Sequence, residues 1–349
     1  MTAPSTVARF DLWYDPVMEA RFAREPGIML RTIALSGPEA DSWATLGAAR
    51  AYQISAARDE LPRQWWAEAP LLVRCPNLLC VSSAGVGFDT VDVAACTRAG
   101  VLVVNQAGAN AQAVAEHTLG LMLDLSKRIS ESDRKLRVER GFSRETLMGS
   151  EIGGKVLGLV GIGDIGRRVA RFAAAFGMRV LATDPLLDPA EIARRGAEPV
   201  GLDALLAQSD YVSLHCPRNA ETMGMIGAAQ FARMKQGAFF ITTARGGIHD
   251  EAALAAALAR GHLGGAGLDV WSVEPPPLDH ALLALPNVVA TFHTAGVTHE
   301  ARRNVALSAA EQVIAVLRGE RPPHLVNPEA WDAYVERFRN APPVPAAAS

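Results

Sequence analysis

Val156-Leu157-Gly158-Leu159-Val160-Gly161-Ile162-Gly163-Asp164-Ile165-Gly166 is an apolar run that closes on three glycines spaced GxGxxG. Short glycine patterns arise by chance, so the flanking residues decide how this one is read. Val156 to Val160 has the aliphatic make-up of a buried strand. Arg167 to Phe176 is alanine-rich, with Val169, Phe172 and Phe176 on one side, as in a helix packed on a sheet. Met178 to Thr183 forms a second strand and ends at Asp184, 18 residues past Gly166. In such a strand-turn-helix-strand unit Gly161 allows a tight turn, Gly163 allows close backbone approach to a pyrophosphate, and Gly166 allows the helix to pack on the sheet. Asp164 and Ile165 belong to the same turn. The Asp184 carboxylate would accept hydrogen bonds from ribose hydroxyls and repel a 2'-phosphate, so NAD is expected rather than NADP. Arg194 and Arg195 lie too far along the chain to form an obvious 2'-phosphate clamp.

Strand and helix keep alternating downstream, through Tyr211 to His215, Phe239 to Thr243, Ala266 to Val270 and Val288 to Thr291, and six strands at this spacing imply a doubly wound parallel sheet. Upstream, Phe10 to Tyr14, Met29 to Leu35, Tyr52 to Ser55, Leu78 to Ser82 and Val101 to Asn105 read as the strands of a smaller α/β unit. A long apolar helix, Ala111 to Ile129, joins the two, and a second, Glu300 to Arg318, leads back until Pro322, Pro323 and Pro328 end it. The expected layout is therefore a substrate domain over 1–112, a nucleotide domain over 113–300 and a return to the first domain over 301–349. Trp331, Tyr334 and Phe338 stand at helical spacing, as in a helix docked on the first domain. The Pro/Ala tail that follows is expected to be disordered.

Composition narrows the function. With 349 residues, length alone suggests roughly two domains. Thirty-four basic against 37 acidic residues leave a formal charge of -3 with no basic block, which argues against nucleic acid or an anionic membrane surface as partner. Cys75, Cys80, Cys96 and Cys216 lack the spacing of a zinc site or a disulfide framework, so no metal is expected and the thiols read as reduced. Met1 to Val7 carries no leader pattern and no stretch of 18 apolar residues occurs, so a cytoplasmic location is expected.

Further motifs follow in order: Ser209-Asp210-Tyr211-Val212-Ser213-Leu214-His215-Cys216-Pro217, Met234-Lys235-Gln236-Gly237-Ala238, Ala244-Arg245-Gly246-Gly247, Leu268-Asp269-Val270, Val273-Glu274-Pro275, Pro286-Asn287-Val288 and His293. Upstream stand Gly85-Val86-Gly87-Phe88-Asp89 and Ala113-Val114-Ala115-Glu116-His117. Over about residues 70 to 327 the chain resembles the D-isomer-specific 2-hydroxyacid dehydrogenases. The resemblance implies a Rossmann sheet inserted in a smaller flavodoxin-like substrate domain, with the active site in the cleft between them. It also implies an NAD-dependent oxidoreductase that moves hydride between the nicotinamide and a small 2-oxo acid. Such a reaction needs a cation for the carboxylate, a proton donor for the developing alkoxide, and a partner that keeps this donor charged.

By resemblance these are Arg245, which grips the carboxylate and polarises the carbonyl; His293, the acid in reduction and base in oxidation; and Glu274, which orients the imidazole and raises its pKa. Val86 and Gly87 would supply an amide nest for the substrate, beside Arg245 and His293. The cofactor set comprises Gly161, Gly163, Asp164, Ile165, Gly166, Asp184, Pro217, Thr222, Thr243, Ala244, Arg245, Asp269 and His293. His117, which opens the crossing helix, reads as a packed helix histidine, with orientation of groups in the cleft as the alternative; His215 reads as locally hydrogen-bonded, and Cys216 as a small buried hydrophobe. Trp66, Phe88, Trp271 and Phe292 are equally pocket-wall and core candidates.

Departures from the family pattern bear on substrate. Thr242 stands where Asn is frequent, Phe292 where Pro precedes the histidine, and Gln106 precedes Ala107, where Pro is common. Arg218 and Asn219 alter the segment after Pro217. Ser83 occupies the place of an arginine carried by members that oxidise 3-phosphoglycerate, which disfavours a phosphorylated acid unless another arginine such as Arg58 compensates. Glu274, where formate dehydrogenases of the superfamily carry Gln, disfavours formate. The leading expectation is a reductase of glyoxylate, hydroxypyruvate or a similar acid. The alternatives are a phosphoglycerate dehydrogenase-like enzyme and an NADH-sensing, corepressor-like interaction protein. The polar segment Ser130 to Ser150 resembles the family's dimerisation arm, so a homodimer is expected.

Overall fold

A computed structural model describes residues 4–340. The tail Ala341 to Ser349, expected to be disordered, lies outside the described residues. The chain divides into two compact units. One contains the described residues up to Asn110 together with those from Thr298 on, and the other runs from Ala111 to Val297. The divisions fall two and three residues before the boundaries drawn from the sequence.

The first unit holds a five-stranded parallel sheet of β1 (Ser5–Phe10), β2 (Ile28–Ile33), β3 (Ala51–Ile54), β4 (Cys80–Ser83) and β5 (Leu102–Val104), in the order β2-β1-β3-β4-β5. The central strands are buried on both faces, as the apolar runs require of a covered parallel sheet. Phe10, Tyr52, Trp65 and Leu71 pack on one face. Val7, Leu79 and Leu102 pack on the other, against the return helix His299–Leu317 and the last helix, Trp331–Asn340. That last helix docks as its aromatic spacing predicts: Tyr334 is fully buried, its hydroxyl donates to the Val316 carbonyl, and Arg337 donates to the carbonyls of Pro76 and Ala99. One strand is displaced from expectation. β1 ends at Phe10 instead of beginning there, because Arg9, a buried residue paired with Glu19 and bonded to Thr32, masks the apolar character of Ser5–Phe10.

The second unit is a seven-stranded parallel sheet of β6 (Val156–Val160), β7 (Arg179–Thr183), β8 (Glu198–Pro199), β9 (Tyr211–Leu214), β10 (Phe239–Thr242), β11 (Gly265–Leu268) and β12 (Val288–Ala290). Their order is β12-β11-β10-β9-β6-β7-β8. Six strands were expected; the seventh, β8, is a two-residue edge strand whose proline hid it from a periodicity reading. The order reverses between β6 and β9, the switch point where open α/β sheets bind ligands beyond the carboxyl ends of their strands. The helix Ala111–Lys127 lays Leu121 and Leu125 on β11. The polar segment Ser130 to Ser150, read as resembling the dimerisation arm, holds most of the helix Ile129–Val138, none of whose residues is buried, and a short 3-10 turn at Arg144–Leu147.

Candidate active site

The glycine turn lies at the carboxyl end of β6, at the switch point. Gly161 has φ of 91°, and a Cβ there would stand 2.9 Å from the His215 carbonyl carbon and the Cys216 amide nitrogen, so only glycine lets the two loops meet. A Cβ on Gly166 would collide with the Gly161 carbonyl. The Asp184 carboxylate accepts from the Ile162 amide at 3.0 Å and the Leu186 amide at 3.1 Å, which fixes it beside the turn with capacity left for further donors. Arg195, set aside on its sequence distance, returns in space: it donates to the Ile162 carbonyl at 2.9 Å and to Glu191 at 2.6 Å. Its guanidinium is thereby committed to the turn.

Pro217 and Thr222 close the loop after β9, the Thr222 hydroxyl donating to the Pro217 carbonyl at 2.7 Å while Asn219 caps the Glu221 and Thr222 amides. His215 bonds Ser213 through Nε2 and keeps Nδ1 buried without a partner; burial pushes its imidazole down to about 4. Burial likewise pushes the Cys216 thiol up to about 11, which makes it a poor nucleophile.

Arg245, Glu274 and His293 arise from three loops at the carboxyl ends of β10, β11 and β12. His293 Nδ1 lies 2.9 Å from Glu274 Oε2, and Glu274 Oε1 accepts from the Trp271 amide at 3.0 Å. Burial alone would push the Glu274 carboxyl up. The hydrogen bond and charge of His293, the Trp271 amide and the charge of Arg245 together hold it below its ordinary value. The carboxylate therefore stays an acceptor, Nδ1 carries a hydrogen, and Nε2 is the nitrogen left for proton exchange. Arg245 shares the Glu274 field and donates to the Ala244 carbonyl at 2.7 Å.

His293 has φ of 47°, a left-handed conformation that side chains other than glycine rarely adopt and that clusters at functional sites. Asp269 holds it there. The His293 amide donates to the Asp269 carbonyl at 2.7 Å, and the fully buried carboxylate accepts from the Thr294 amide, the Ala295 amide and the Thr291 hydroxyl. The sequence placed Asp269 near the cofactor; in the structure its oxygens are occupied with the loop. Sequence reasoning did not find Thr291, for a lone threonine after a strand carries no signal.

In the first unit, the Gly85–Gly87 loop follows β4. Its three carbonyls are tied back: Gly85 to the Gln106 amide at 2.8 Å, Val86 to the Asn105 side chain at 2.8 Å, and Gly87 to the Ser83 hydroxyl at 2.5 Å. Among the described residues nothing accepts from the Val86 or Gly87 amides, which leaves two N–H groups of the expected nest available to an anion. Gln106 is fully buried and satisfied at both ends, donating to Ser82 and Ser83 and accepting from Ser308 and Gln312.

Comparison with known proteins supplies the family. Residues 119–295 match the family described as D-isomer specific 2-hydroxyacid dehydrogenase, NAD binding domain. The chain belongs to this dehydrogenase family. The D-3-phosphoglycerate dehydrogenase of Mycobacterium tuberculosis is 45% identical over 260 residues, covering 74% of this chain and 49% of that protein. The chain thus spans about half the length of the phosphoglycerate dehydrogenases it matches. The glyoxylate reductase of Korarchaeum cryptofilum is 40% identical over 265 residues, 75% of this chain and 80% of the relative. Among solved structures, the D-lactate dehydrogenase of Aquifex aeolicus, complexed with NAD and lactic acid, superposes with a TM-score of 0.76 at 28% identity, over 92% of this chain and 98% of that one.

The second unit matches the NAD-binding domain of this family, so NAD is the cofactor it takes. The residues at the glycine turn fit that cofactor, since the turn admits close backbone approach and Asp184 is anchored as an acceptor beside it. The chain's departures from the family pattern and the pocket-wall candidates sort by burial. Thr242 is buried and bonds the Ala244 amide, and Trp271 is a core residue whose indole donates to the Thr291 carbonyl. Phe88 and Phe292 are exposed, and Trp66 is half-buried with the Arg58 guanidinium over its ring.

Proposed function

We propose that this D-2-hydroxyacid dehydrogenase is an NADH-dependent reductase of small, unphosphorylated 2-oxo acids, glyoxylate and hydroxypyruvate being the first candidates. The observation that carries the reading is the Glu274-anchored His293, held in a left-handed conformation with Nε2 left for proton exchange, in the electrostatic reach of Arg245. NADH supplies the hydride. Arg245 binds the substrate carboxylate and polarises the carbonyl, and His293 delivers the Nε2 proton to the oxygen as C2 accepts hydride. Oxidation of the 2-hydroxy acid runs the same proton back to Nε2. Glu274 stabilises the imidazolium and fixes the ring orientation. Thr243, Ala244, Pro217 and Thr222 serve as cofactor contacts. Ser83 supports preference for an unphosphorylated acid, because its hydroxyl is spent on the Gly87 carbonyl and brings no positive charge.

The test is loss of NADH absorbance with glyoxylate, hydroxypyruvate, pyruvate and a phosphorylated 2-oxo acid, with NADPH alongside. Arg245→Ala and His293→Ala are expected to lower turnover at least 100-fold while NADH still binds. Wild-type turnover in both variants overturns the assignment, and tight NADH binding without turnover on any acid favours the sensor reading. We further propose a cytoplasmic homodimer. The helix Ile129–Val138 and the turn after it expose Ile129, Leu136, Val138 and Met148, apolar side chains that a second copy would cover. A monomeric mass in solution removes that part of the reading.

A further inference from the structure

Two consecutive residues of the helix Ala111–Lys127 reach the strand ends that precede the two reactive side chains. The Thr118 hydroxyl donates to the Val114 carbonyl at 2.9 Å and so accepts from the Thr243 hydroxyl, 3.1 Å away and two residues before Arg245. His117 Nε2 lies 3.0 Å from Thr291 Oγ1, two residues before His293. Proton directions in this second contact follow from what each group can do. The Asp269 carboxylate only accepts, and Thr291 Oγ1 is 2.6 Å from Asp269 Oδ1, so the single threonine proton goes to Asp269. Toward His117 the threonine oxygen must then accept, and His117 Nε2 must carry a hydrogen. His117 is itself 3.7 Å from Asp269 Oδ1, beyond a hydrogen bond, so Thr291 is the link.

A chain of fixed polarity results: His117 N–H to Thr291, Thr291 O–H to Asp269, with Asp269 gathering the amides of Thr294 and Ala295 on its two oxygens. The amides gathered are those immediately after His293, whose own amide the Asp269 carbonyl takes. We propose that His117 is a positioning residue: by donating to Thr291 it orients the buried network that holds His293 in its left-handed conformation. It touches no reacting atom. The proposal rests on His293 being the acid–base group, and it gives the histidine of Ala113-Val114-Ala115-Glu116-His117 a role beyond packing.

The experiment compares His117→Leu, which removes the donor, with His117→Gln, whose amide nitrogen restores one near the Nε2 position, and Thr291→Val with Thr291→Ser. Steady-state reduction of glyoxylate with NADH is measured, together with the imidazole resonances of His293 by NMR, a readout that needs no turnover. His117→Leu and Thr291→Val are expected to lower kcat at least ten-fold, with KM for NADH within two-fold, and to shift or broaden the His293 ring signals. His117→Gln and Thr291→Ser are expected to return kcat to within three-fold of wild type and to restore the signals. The proposal fails if His117→Leu matches wild type in both readouts, or if Leu and Gln are equally impaired, which marks a packing role. His293→Ala separates the two readings: full activity in that variant discards the catalytic assignment itself, whereas an inactive His293→Ala beside a normal His117→Leu discards only this inference.

Discussion

His249 offers a quantitative test of how the Arg245 loop is held. It follows Arg245 by four residues, forms a parallel bridge with Ile226 just before the helix Glu251–Ala259, and packs its ring 5.2 Å from that of Phe240. Both ring nitrogens are buried without a partner, and burial pushes the imidazole from 6.5 down to about 4. Between those values the unfolded chain takes up a proton that the folded chain refuses, so stability falls as pH drops from 6.5 toward 4. At pH 8 neither form is protonated. At pH 5 the unfolded imidazole is almost fully charged and the folded one about a tenth so, which by linkage removes about 2 kcal/mol relative to pH 8. His249→Leu, close in volume and with nothing to protonate, should abolish that share. Urea unfolding of both proteins at pH 8 and pH 5 measures it, the second unit's transition being identified by its response to NADH. The variant's advantage should grow by about 2 kcal/mol on going to pH 5. An equal pH dependence in both proteins would falsify the reasoning, because it would mean that the ring finds a partner or water in the folded state.

Glu274→Gln exchanges a charge-assisted hydrogen bond for a neutral one, a loss of about 1–2 kcal/mol that should lower kcat roughly ten-fold with KM for NADH unchanged. Because the Glu274 carboxyl is held below its ordinary 4.5, its contribution to stability is present above that pH and is lost as pH falls through the lower folded value. The stability gap between wild type and Glu274→Gln should therefore shrink only below about pH 4.5, as urea titrations would show. Gln106→Pro deletes the amide that holds the Gly85 carbonyl and leaves Ser308 without its acceptor, so the first unit should lose about 1–3 kcal/mol in its urea transition. Tyr334→Ala opens a cavity in the first unit's core and should cost about 3–5 kcal/mol in its urea transition.

What was legible in the sequence was whatever local repetition encodes. The β6 strand, the glycines and Asp184 form one short βαβ unit, and Tyr334 announced its burial through its aromatic neighbours at helical spacing. What escaped was polar and long-range. Arg195 meets the turn 33 residues before it, Gln106 meets Ser308 across 202, and His117 meets Thr291 across 174. Each of these contacts joins ordinary polar residues whose side chains bond only because the chain returns there, and no spacing rule connects them. The ends of β1 were misplaced for a related reason, since the buried Arg9 breaks the apolar run that a strand reading follows.

The order in which the chain is made sets a constraint of its own. One face of the first unit's sheet, with Val7, Leu79 and Leu102, is covered by Ala309, Val313 and Leu317 of the return helix and by Tyr334 after it. Those covering residues leave the ribosome only after the entire second unit has been synthesised. A nascent chain therefore carries a half-clad sheet throughout the synthesis of the second unit, and a stall before the return helix emerges leaves that apolar face bare. Chaperone dependence and aggregation of prematurely terminated products should accordingly be governed by the return helix.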